Sequence, residues 1–81
     1  MTGWEHLDLL RAHVETRVPE VALFLPPGAR ILEARRRGRP GVFVAWDRHE
    51  AAYTWVDGPD AGARVGADAE QAAEQIGRLL A

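Results

Sequence analysis

The chain contains no cysteine, no lysine, no serine and no asparagine among its 81 residues. Without cysteine there is no disulfide framework and no thiolate metal site. Without Ser, Cys or Lys, the usual side-chain nucleophiles of covalent catalysis are missing as well. Long hydrophobic runs are also lacking. Even Val21–Leu25, as long as any, falls far short of the roughly 20 apolar residues a membrane-spanning helix needs. Charge of one sign is scarce: ten basic residues, all Arg, against twelve acidic ones leave a formal charge of −2. No global electrostatic pull toward nucleic acid or a membrane surface follows. The composition that remains, 47% hydrophobic and 27% charged, is globular, and the length fits one small domain over residues 1–81. The first ten residues carry Glu5 and Asp8 and no signal-like apolar stretch, so the expected location is cytoplasmic.

Periodicity predicts two helices. Trp4, Leu7, Leu10, Val14 and Val18 recur at spacings of three and four, and Thr2 with Glu5 three residues on forms a capping-box pattern ahead of them. Pro19 ends that helix. At the other end Asp68 is a good N-cap for a second helix. Its stripe runs through Ala69, Ala72, Ala73, Ile76, Leu79 and Leu80.

Between the helices the pattern turns to strands. Arg30–Arg37 alternates, with Leu32, Ala34 and Arg36 on one face, and Gly38–Gly41 is a turn by composition. Val42–Trp46 and Ala51–Val56 form a hairpin around Asp47–Glu50. Val21–Leu25 is a short strand or an extended connection, and Ala61–Gly66 reads as a loop. The expected fold is therefore α+β: an antiparallel three- to four-stranded meander flanked by N- and C-terminal helices. One sheet face should lie under the helices. The other is left open, or covered by another molecule, and homodimerisation would supplement so small a core.

Residues suited to chemistry are few. His6 and His13 stand seven apart, not at the three- or four-residue spacing of helical metal ligands, so no metal site and no cofactor are expected. Asp47-Arg48-His49-Glu50 puts a histidine between carboxylates, but at a solvated hairpin tip, which seldom supplies a water-excluding pocket. Gly58, Gly62 and Gly66 precede a helix, yet no lysine follows and Asp68 and Glu70 would repel a phosphate there. The expectation is a protein that is not an enzyme.

Two features favour binding. Arg35, Arg36, Arg37 and Arg39 form a dense basic segment, and Trp46, Tyr53 and Trp55 are bulky aromatics on a very small sheet. An aromatic face rimmed by arginine is the composition of a protein-binding surface, for a partner or a second copy of the chain. The alternative is a nucleic-acid-binding protein that grips phosphates with the Arg35–Arg39 segment.

The segment Tyr53-Thr-Trp-Val-Asp-Gly58, followed by Val65-Gly66 and a helix with an Asp-x-x-x-Ala-Ala-x-x-Ile pattern from Asp68, resembles the C-terminal half of certain small uncharacterised actinobacterial proteins. The resemblance implies a cytoplasmic accessory protein working beside a regulator. It carries over no catalytic residue.

Overall fold

A computed structural model describes residues 1–81. The order of elements is α1 (Gly3–Arg17), β1 (Ala22–Phe24), β2 (Ile31–Arg35), β3 (Val42–Asp47), β4 (Ala52–Trp55), β5 (Arg64–Gly66) and α2 (Ala69–Leu80). The strands form one antiparallel meander in the order β1-β2-β3-β4-β5. The fold is thus α+β with flanking helices, and the sheet has five strands where three to four were expected. Val21–Leu25 resolves as a strand, β1 pairing β2 through Leu23↔Ala34. The fifth strand comes from the stretch expected to be a loop. No helix is long and apolar enough to cross a membrane.

Both helix starts are built as their sequences imply. The Thr2 hydroxyl accepts from the Glu5 N–H at 3.1 Å while the Glu5 carboxylate accepts from the Thr2 N–H at 2.9 Å. Hydrogen bonding from Thr2, its backbone N–H first and its hydroxyl second, holds the Glu5 carboxyl below its ordinary pKa. The Asp68 carboxylate accepts from the Gln71 N–H at 2.8 Å, satisfying a donor that the first turn of α2 cannot. Trp4 ties the start of α1 to the β1–β2 connection, its indole N–H donating to the Pro26 carbonyl at 2.8 Å.

The core lies between the sheet and the two helices. Leu7, Leu10 and Val14 of α1 and Ala69, Ala72, Ala73, Ile76 and Leu80 of α2 are buried against Leu32, Ala34, Val44, Tyr53 and Val65. The helices also pack on each other. Leu79 departs from the expected stripe and is 55% exposed. It precedes Leu80 by one residue and so stands about 100° round the helix, outside the buried arc.

Gly66 explains how β5 meets α2. A Cβ built there would lie 2.8 Å from the Ala72 backbone nitrogen and 3.1 Å from the Gln71 Cβ. The glycine therefore serves close packing at the strand–helix junction. Gly66→Ala should lower stability by about 1–3 kcal/mol through overpacking, read as a shift in the urea midpoint with an unchanged slope.

Candidate functional site

The strand registers decide which residues the sheet presents. Trp46 lies opposite Tyr53, and Val44 opposite Trp55. Those four share the face that carries Leu32 and Ala34, since Leu32 pairs with Val44. This is the helix-covered face. The aromatic residues nominated for binding therefore point the wrong way for an open-face surface. Tyr53 is only 1% exposed, and its hydroxyl donates to the His6 carbonyl of α1 at 2.5 Å. Trp46 is half-buried under His6, whose ring stacks on it at 3.6 Å between centroids. Burial holds the His6 imidazole below its ordinary pKa, helped by the N-terminal ammonium and opposed by Glu5. Trp55 is half-buried and lines a groove at the far end of the sheet.

The uncovered face carries three rows of side chains. One crosses Phe24, Glu33 and Phe43 through their paired registers. Val56 extends this row, its N–H donating to the Phe43 carbonyl at 3.0 Å. A second row runs Ile31, Ala45, Thr54 and Arg64. The third pairs Ala22 with Arg35. Phe24 is 50% exposed, Ile31 42% and Val56 38%. Charges on and around this surface are of both signs: Arg35 pairs with Glu33, and Arg64 reaches Glu50 at 3.5 Å. Pairs this exposed contribute little to stability. They give the apolar band a polar border instead.

The arginine segment is split by its contacts. Arg36 donates to the Leu80 carbonyl at 2.6 Å and Arg39 to the Ala81 carbonyl oxygen at 2.6 Å. Both therefore cap the end of α2, where carbonyls lack helical partners and the helix dipole favours cations. Arg35 stays with Glu33, and Arg37 is exposed with no hydrogen bond or ion pair. The capping role was not foreseen from sequence. The partners lie 44 and 42 residues apart along the chain, and no local spacing signals them.

The remaining candidates are accounted for locally. The Asp47 carboxylate accepts from the N–H groups of His49 at 2.9 Å and Glu50 at 3.2 Å, folding the β3–β4 tip as an Asx turn. That turn places Ala51 at φ 49, the left-handed region. Ala51→Gly should consequently raise stability by about 0.5–1 kcal/mol, measured by thermal unfolding. No group of three or more His, Asp or Glu side chains comes together at distances that would hold a metal ion. No protein-family model matches the chain, and no curated protein or solved structure is similar to it.

Proposed function

We propose that this chain is a non-enzymatic, cytoplasmic interaction module that binds a protein partner through the open face of its sheet, with the arginine turn beside it. The observation that carries this reading is the apolar band of Phe24, Ile31, Phe43 and Val56, which neither helix covers. Half-exposed aromatic and aliphatic side chains at the centre of a mixed-charge border match the anatomy of a protein interface. Trp46, Tyr53 and Trp55 drop out of the binding face in this reading, and the residues on the opposite pleat take their place.

Nucleic-acid binding by Arg35–Arg39 is less well supported. Three of the four guanidinium groups are engaged within the chain, and Glu33 sits in the middle of the adjoining face. Affinity capture of the tagged protein from its native cytoplasm, with and without nuclease, separates the readings. A stoichiometric protein that survives nuclease supports the module. Nucleic acid, with co-purifying proteins lost on nuclease treatment, supports the arginine segment, and recovery of the chain alone contradicts both.

A further inference from the structure

The apolar band on the open face runs into a cleft at one end of the sheet. The β3–β4 hairpin continues past the last β2 register, Ile31↔Ala45, as far as Asp47↔Ala52. Beside this projecting tip a cleft of about 950 Å³ extends from the open face, round the end of the sheet, to the first residues of α1. Its floor on the open face is small and mostly apolar: Ile31, Ala45, Thr54 and Val56. Its charged lining is one-sided. Arg30 and Arg48 both line it, and neither takes part in an ion pair or a side-chain hydrogen bond within the chain. The single carboxylate there, that of Asp47, already accepts from two backbone N–H groups of the tip. Elsewhere on the face the charges are matched, Arg35 by Glu33 and Arg64 by Glu50. The unmatched charge at this end of the face is therefore positive.

A guanidinium with no internal partner suits a carboxylate, which it can grip through two parallel N–H···O bonds. Nucleic acid fits less well, because bases need free aromatic faces to stack on. The one large aromatic ring lining the cleft, Trp46, is already stacked under His6. We propose that the partner bound on the open face presents an acidic peptide segment here. Its Asp or Glu carboxylates meet Arg30 and Arg48, and an adjoining apolar side chain rests on Ile31 and Val56. The inference rests on the open-face reading and specifies the chemistry of the partner.

Selection of random dodecapeptides displayed on phage, against the immobilised chain, supplies the probes. Enriched peptides, synthesised and titrated by fluorescence anisotropy, should carry net negative charge and at least one large apolar residue. Their affinity should weaken with added salt. Arg30→Glu combined with Arg48→Glu alters two exposed residues, so the fold should survive, as circular dichroism can verify. This variant should bind the peptides at least about tenfold less tightly. It should also bind versions with Lys in place of Asp and Glu more tightly than the unaltered chain does. Enrichment of neutral or basic peptides, or an affinity indifferent to the double reversal, overturns the acidic segment. The open-face reading survives that result if Phe24→Asp with Ile31→Asp still abolishes the binding. Acidic peptides that respond to the arginines but not to Phe24→Asp with Ile31→Asp contradict both the placement of the segment and the open face. A library that yields no binding peptide overturns the inference too, while the open face, tested with a whole partner protein, is unaffected.

Discussion

Tyr53→Ala is expected to cost about 3–5 kcal/mol, the range for removing a large buried aromatic. An 81-residue domain with one small core is held by only about that much. The variant should therefore be largely unfolded at physiological temperature, visible as loss of the cooperative transition in a urea titration. Tyr53 has this weight because it joins elements far apart in sequence. Its ring meets Trp46 edge-on at 4.9 Å between centroids, and its hydroxyl reaches back to α1. Tyr53→Phe keeps the ring and should lose only the hydrogen bond, about 1 kcal/mol.

The same burial makes the hydroxyl a pH sensor with a defined sign. Burial, with the negative charge of Asp68 adding to it, pushes the Tyr53 pKa up to about 12 from 10.0. The folded state holds its proton more tightly than the unfolded chain. The associated stability is fully present below pH 10.0 and is lost as pH rises toward about 12. That loss amounts to at most about 2–3 kcal/mol. Tyr53 is the sole tyrosine, so an absorbance titration reports it without overlap. Tyr53→Phe should remove this alkaline decline in stability.

The second large effect concerns binding. Phe24→Asp with Ile31→Asp should retain the fold at a cost of about 1–2 kcal/mol, because both side chains are half-exposed and aspartate is merely a poor strand former. Each replacement puts a carboxylate where an apolar contact would be desolvated. Phe24 is also opposite Glu33, so a like charge is added. Partner affinity should fall at least about 100-fold, as for loss of two central anchors. Titration of the purified partner against both proteins measures it. Asp60→Arg, at the other end of the sheet, should leave that affinity unchanged.

How much of this was legible in sequence varies by element. The capping box at Thr2 and Glu5 and the cap at Asp68 are local rules, and they place both helix starts within a residue of where they lie. The β3–β4 hairpin is equally local. The strand β5 carries a single buried apolar side chain, Val65, between Arg64 and Gly66, so no alternation can reveal it; only pairing with β4 does. The choice of sheet face was hidden for a different reason. Tyr53 and Trp55 alternate with Thr54 and Val56, so both faces of β4 hold large side chains. Long-range register settles it, because Trp46 and Tyr53 must share the pleat that carries Leu32, Ala34 and Val44. The arginines that cap α2 act across some forty residues of chain.

The most direct test of the open sheet face is site-specific photo-cross-linking in the cells that make the protein. A photoactivatable residue would replace Phe24 in one variant and Ala12, exposed on α1, in another. The expected result is one discrete protein adduct from position 24 and none from position 12. Adducts from position 12 alone, or from neither, would contradict a partner bound on the uncovered face of the sheet.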